Sequence, residues 1–314
     1  MKTNPTPLLQ SPLWETFEQH LGRQTFRVET DSFSYFGYVQ TTRLGSYLYL
    51  PYGPLLTPSG SVSPDDALKS ALASLNSLCR EHNFLFARLE PQTYFPPETL
   101  SSLGLKKSLD LNPAETWLLD LSGSETELKS RLPSRLLRYY RARGKNGLSI
   151  ETSHDPADAH YLLDLQKSLA RTKNIQTFDL DYYKHQLSEP FSTLYLVKQS
   201  SEVLAAGLVF DDATTRYNLQ GAQSSTGKHL HATGILTLQL IFDAAAKGLT
   251  TFDFWGIAPA DASPDHPWAG FTAFKKTFAG TERAYSGTYD LPTSSRYPLY
   301  SLLRSLNRKL RKRF

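Results

Sequence analysis

The chain holds a single cysteine, Cys79, and a single methionine, Met1, among its 314 residues. One thiol excludes an internal disulfide framework and any zinc site built on several thiolates. Long apolar runs are missing as well. No stretch approaches the roughly 18 uninterrupted apolar residues that a membrane-spanning helix needs. The opening Met1-Lys2-Thr3-Asn4-Pro5-Thr6-Pro7 lacks the apolar segment of a secretory signal, so a cytoplasmic protein is expected. Charge of either sign is scarce: 34 Lys and Arg stand against 30 Asp and Glu, a formal net charge of +4. With 40% apolar and 12% aromatic residues, the chain has material for packed cores and too little charge to stay disordered. At roughly 100–200 residues per domain, two domains are expected.

The small net charge hides a strong asymmetry. From Lys129 to Lys145 there are seven basic residues and no acid: Lys129, Arg131, Arg135, Arg138, Arg141, Arg143 and Lys145. From Arg296 to the C-terminus there are seven more, Arg296, Arg304, Arg308, Lys309, Arg311, Lys312 and Arg313, again without an acid. Removing these 14 leaves 20 basic against 30 acidic residues, a remainder at −10. Such concentrated cationic segments attract phosphate, whether of a nucleic acid, a nucleotide or an anionic bilayer. A solvated helix face is the plainer alternative for each.

Periodicity divides the chain into mixed strands and helices. Trp14, Phe17 and Leu21 sit at helical spacing after Ser11-Pro12. Aromatic, β-prone runs follow at Phe33, Tyr35 and residues 47–50, and Pro51-Tyr52-Gly53-Pro54 closes them. A helix is expected over Asp65–His82, then strands over Phe84–Leu89 and Thr116–Leu121. After the Ser122-Gly123-Ser124 turn comes a helix that sets Arg135, Arg138 and Arg141 on one face and Leu136, Leu137 and Tyr140 inward. Helices over Ala157–Arg171 and Asp181–Leu187 precede strands over Thr193–Lys198, Val203–Phe210 and Thr215–Gly221. A long apolar helix, Ala232–Lys247, stops at Gly248 before a strand over Thr251–Trp255. This order argues for a mixed α/β or α+β protein, built from two copies of one layout.

Several chemical motifs are absent. The Gly221–Lys228 stretch has the wrong glycine spacing for a phosphate loop and His229 where a magnesium-binding hydroxyl belongs. His229, His231 and His266 have no thiolate or carboxylate partners at ligand spacing, so no metal is expected. There is no Gly-x-Ser-x-Gly elbow, and residues 223–229 do not form the glycine turn of an acetyl-coenzyme A site.

The most specific stretch is Phe252-Asp253-Phe254-Trp255-Gly256-Ile257, followed after a short loop by Gly270-Phe271-Thr272-Ala273-Phe274-Lys275-Lys276-Thr277-Phe278-Ala279-Gly280. It closely resembles the C-terminal signature of the Fem family, the peptidyltransferases that use aminoacyl-tRNA to build the peptidoglycan interpeptide bridge. Supporting matches in order are the Trp14 helix, Tyr52-Gly53-Pro54, Arg88-Leu89-Glu90-Pro91, the basic segment before Gly147, Arg171 ahead of Tyr182-Tyr183, and Tyr217–Ala222. The resemblance implies two tandem acetyltransferase-like (GNAT) domains, residues 1–122 completed by 288–314, and 123–287 carrying the Phe-Lys pair. The short gap between Leu187 and Thr193 leaves no room for the helical arm of the larger members.

The resemblance also implies roles. Lys275 would stabilise the ester oxyanion electrostatically and Phe274 would position it, while Glu90, matching an acid that lines the family's acceptor cleft, would be the proton acceptor or else a surface residue. Arg171, Tyr217 and Trp255 would bind the acceptor, although Ile175 stands where the family usually has an aromatic residue. Arg135, Arg138 and Arg141 would meet tRNA phosphates. The expected co-substrate is aminoacyl-tRNA, with no cofactor, and the expected acceptor is a UDP-linked or lipid-linked muramyl pentapeptide taking Gly, Ala or Ser. A monomer is expected, with membrane contact through the basic 297–314 helix or, alternatively, docking of that helix onto the first domain. The competing functions are a GNAT-type N-acyltransferase with another donor and a non-catalytic RNA- or membrane-binding module.

Overall fold

Helix Pro64–Glu81 starts with proline in its first turn, the Ser63 hydroxyl accepting from the Asp66 N–H, and two aspartates at the positive end of the helix dipole. Its buried face, Ala67, Leu68, Ala71, Leu72, Leu75 and Cys79, is a stripe at helical period, and it covers one of two sheets. The computed structural model describes residues 6–57, 62–173 and 177–311. They divide into two compact units, one of residues 6–114 with the C-terminal segment from 284, the other of residues 115–283.

The first unit contains β1 (Thr25–Glu29), β2 (Phe33–Thr42), β3 (Gly45–Leu50), β4 (Leu55–Leu56), β5 (Phe86–Leu89), β6 (Lys106–Lys107) and, from the C-terminal segment, β14 (Tyr289–Pro292). The second contains β7 (Glu115–Asp120), β8 (Leu148–Ser153), β9 (Ser192–Gln199), β10 (Glu202–Asp211), β11 (Thr215–Gln223), β12 (Thr251–Gly256) and β13 (Thr281–Ala284). The sheet orders are β1-β2-β3-β5-β14-β6, with β4 on β2, and β13-β7-β12-β11-β10-β9-β8. Each sheet contains a parallel pair, β3 with β5 and β11 with β12. Helix Pro64–Glu81 lies between the first pair in sequence and helix Ala232–Ala246 between the second. The expected repetition of one layout is therefore a repeated strand–helix–strand crossover.

Three expectations shift. The domain boundary falls at 114/115 rather than 122/123, because β7 pairs antiparallel with β12, Thr116 opposite Gly256. The return to the first unit falls at 283/284 rather than 287/288. The basic 129–145 segment is not one helix. Pro133 separates helix Glu125–Ser130 from helix Ser134–Ala142, since the residue before proline is pushed out of helical geometry. Helix Leu180–Ser188 does run almost directly into β9, as the short gap predicts.

Candidate active site

In the second unit, the strand β12 builds the site by departing from regularity. Phe252 and Phe254 are buried in the apolar core beside helix Ala232–Ala246, so strand alternation turns Asp253 to the opposite face. Between Asp253 and Gly256 the pairing with β7 slips, two residues of β12 facing one of β7. Trp255 adopts a left-handed φ of 63°, rare for a bulky side chain and a concentration of strain at a candidate site. On the other edge, β11 pairs with β12 over only Thr215–Tyr217, although it continues to Gln223. The two parallel strands thus part company beyond Tyr217 and Asp253.

Helix Ala269–Lys275 brings Lys275 to this opening. Its Nζ donates to the carbonyl of Gly256 at 2.6 Å and, more distantly, to that of Trp255 at 3.4 Å. The bulge is what exposes both carbonyls to it. Burial pushes the Lys275 amine down to about 8, opposed by the nearby Asp253 charge. Asp253 is itself pushed up to about 6 by burial, opposed by hydrogen bonds from the Thr116 hydroxyl and the Trp255 N–H, and by the charges of Lys275 and Arg283. The Trp255 N–H donates to Asp253 Oδ1 at 2.7 Å, and Thr116 Oγ1 donates to the same oxygen. A lysine ammonium has three donors. Two are engaged on backbone carbonyls, and the third has no hydrogen-bond partner among the described residues. The helix turn after Lys275 is held close by Gly280, where a Cβ would lie 2.4 Å from the Leu118 carbonyl oxygen and 2.6 Å from Trp117 Nε1.

The residues expected at the site scatter by role. Lys275 and Trp255 meet directly, and Tyr217 packs edge-on to Trp255 with ring centroids 6.2 Å apart. The Tyr217 hydroxyl donates to Asp212 at 2.7 Å and the residue is buried, so its polar tip is committed to the protein. Phe274 lies against Phe278, centroids 5.5 Å apart, at the edge of the core, and seats the helix that carries Lys275. The Arg171 side chain and Ile175 lie outside the described residues.

Glu90, the expected proton acceptor, lies in the first unit. It is 1% exposed and accepts from five donors: Tyr49 hydroxyl, Tyr52 N–H, Asn112 N–H, Asn112 Nδ2 and Thr288 hydroxyl. A carboxylate so engaged spends its lone pairs on the protein. It ties the end of β5 to the loops before and after it.

Of the three expected phosphate-binding arginines, Arg135 and Arg138 flank the Tyr139 ring, each 5.6 Å from its centroid. Arg135 Nε donates to the Tyr139 hydroxyl at 2.9 Å, and Tyr139 stacks on His231 at 4.0 Å. Arg141 stands apart. It lines a cavity of about 530 Å³ together with Lys129, Tyr140, Gln239 and Phe242. All three arginines are exposed, while Leu137 is buried and Leu136 and Tyr140 pack against the core, as the helical spacing predicts. No group of three His, Cys, Asp or Glu positioned to hold a metal ion occurs among the described residues.

Asp253 and Thr116 had no role assigned from sequence. The signal was present in part: an aspartate flanked by Phe252 and Phe254 in a buried strand requires a hydrogen-bonding or ionic partner. Thr116, 137 residues away, carried none.

Known proteins resemble this chain in part of its sequence and in its fold. Residues 191–305 match the FemAB family. No curated protein matches the chain. Among solved structures, FemX aligns over 96% of this chain and 95% of its own, at 18% identity and a TM-score of 0.75. The C-terminal domain of a putative lysylphosphatidylglycerol synthetase from Agrobacterium fabrum covers 95% and 92% at 13% identity and a TM-score of 0.60. A tandem GNAT protein from the clavulanic acid biosynthesis pathway covers 93% and 91% at 11% identity and a TM-score of 0.56. At these identities the likeness is one of fold, and the fold is two GNAT-like domains.

Proposed function

We propose that this chain is a member of the FemAB family, whose model matches residues 191–305, and that it is an acyltransferase moving an amino acid from aminoacyl-tRNA to an amine of a peptidoglycan precursor. The observation that carries the reading is Lys275, an ammonium with one free donor, held at the mouth of the β11–β12 opening by the carbonyls of Trp255 and Gly256.

In this reading the acceptor amine attacks the ester carbonyl, and the carbonyl oxygen gains negative charge opposite the third N–H of Lys275. Oriented charge in a partly desolvated site is worth far more there than in water. Collapse of the tetrahedral adduct forms the amide and releases the tRNA hydroxyl. The proton that the amine loses equals the one the hydroxyl gains, so the step needs no net acid or base. Asp253 acts through Lys275, favouring its charged form against the cost of burial. Arg135 and Arg138 offer exposed guanidinium groups beside the Tyr139 ring, suited to phosphates. No cofactor is required, and the chain works as a monomer in the cytoplasm.

The likeness to a tandem GNAT protein supports a second reading, N-acyl transfer from a different donor. One experiment separates the two: incubation with tRNAs charged with Gly, Ala or Ser and with either UDP-linked or lipid-linked muramyl pentapeptide, read by mass spectrometry. The expected result is an acceptor heavier by one aminoacyl residue. An acceptor unchanged with every pair would overturn the leading reading.

A further inference from the structure

The C-terminal helix Tyr297–Arg311 has two faces with different fates. One face is docked on the first unit. Tyr297 donates to Asp290 at 3.1 Å, Tyr300 accepts from Arg88 at 3.4 Å, and Arg304 donates to the Ser108 hydroxyl at 2.7 Å. Both tyrosine rings pack on Phe86, at 5.3 and 4.8 Å between centroids. The other face is open. Leu299, Leu302, Leu303 and Leu306 are 51, 56, 39 and 46% exposed, and their spacing of three, four and seven makes a single stripe along the helix.

Four leucines left open in one stripe are uncommon on a soluble surface and mark a contact. Charge decides what kind. The last acidic residue of the chain is Asp290, and Arg296, Arg304, Arg308, Lys309, Arg311, Lys312 and Arg313 follow it. A second copy laid on the same face would bring two acid-free cationic helices together. RNA would satisfy the cations and leave the leucines wet. A surface that is anionic outside and apolar beneath satisfies both. We propose that this helix is a membrane-docking element, its leucine stripe entering the headgroup boundary of an anionic bilayer while Tyr297, Tyr300 and Arg304 hold it to the protein. The helix lies on the membrane and does not cross it: no helix among the described residues is long and apolar enough to span.

The proposal concerns where the protein sits and stands independently of the transfer reaction, so either can fail alone. The test is co-sedimentation of the full chain with vesicles of phosphatidylcholine alone or mixed with phosphatidylglycerol, alongside Leu302→Asp/Leu306→Asp and Arg296→Gln. The leucines are exposed, so the first variant leaves the docked face intact, and circular dichroism verifies its fold. Expected is binding to the anionic vesicles only, weakened by salt. It should fall at least about tenfold for the leucine variant and about fivefold for Arg296→Gln. Equal binding to both vesicle types, or undiminished binding of the leucine variant, would overturn it. So would a dimer of the native chain that the leucine variant dissolves in the absence of vesicle binding.

Discussion

At the scale of single residues, Lys275 and Asp253 hold charges that burial disfavours, and the pH dependence of transfer follows. The ammonium form is the one that stabilises an oxyanion, so kcat should decline as pH rises through about 8. In Asp253→Asn that decline should begin at lower pH, because the charge that supports the ammonium is gone. Rate profiles of the two proteins check this; coincident alkaline limbs would contradict it. Lys275→Met should lose transfer by about 10²–10³-fold and keep its circular dichroism spectrum. It should also be no less stable than the native chain below pH 8. The amine that ordinarily protonates at 10.5 does so at about 8 here, so the folded state binds fewer protons than the unfolded state between those values. The native chain therefore carries the full burial cost below pH 8 and regains stability as pH rises through that window, while the methionine variant has no such slope. Thermal melts at pH 7 and pH 10 measure it. Glu90→Gln should behave differently. It places an amide among five donors, and unfolding in urea should show a loss of about 1–3 kcal/mol, with kcat of the folded enzyme unchanged.

At the scale of elements, the site depends on one strand being imperfect. A regular β12 would keep the carbonyls of Trp255 and Gly256 in the ladder, and Lys275 would have nothing to donate to. The bulge and the left-handed Trp255 release them. Helix Ser134–Ala142 is the element proposed to meet tRNA. Its inner residues Leu136, Leu137 and Tyr140 tie it to the core and leave Arg135, Arg138 and Arg141 outward. If it meets tRNA phosphates, replacing the three arginines together by glutamine should weaken tRNA binding uniformly across sequences. It should also reduce the slope of log affinity against log salt by roughly 2–3. Filter binding over a salt series reads both, and an unchanged slope would remove the helix from the interface.

At the scale of the whole molecule, the chain closes on itself through a buried ion pair. Arg88 in β5 and Asp290 in β14, 202 residues apart, make two hydrogen bonds of 2.7 and 2.9 Å with both side chains almost fully buried. Asp290 raises the Arg88 guanidinium further above its ordinary range despite burial. Asp290→Ala would leave an uncompensated buried charge and should cost about 3–5 kcal/mol in urea unfolding. It should also loosen the C-terminal helix, since Tyr297 donates to the same carboxylate. Hydrogen exchange across 297–306 should rise in that variant.

The sequence by itself determined the element types and much of their order, because periodicity and capping are local. Pro64 with Asp65 and Asp66 starts a helix wherever the chain goes, and Phe252-x-Phe254 alternates in any buried strand. It also determined the Fem-like signature, the absence of thiolate metal chemistry and the two cationic segments, all written in residue identity. Only the tertiary structure decided which groups meet. Glu90 is expected from sequence at a cleft or on the surface, and its carboxylate is instead buried and held by Asn112 and Thr288, which arrive from other parts of the fold. Asp253 gains its meaning from Thr116 and Lys275, and the C-terminal helix from docking its tyrosines and leaving its leucines bare. Hydrogen bonds and desolvation act over a few ångströms in space, without regard to separation along the chain, so no local pattern could have carried them.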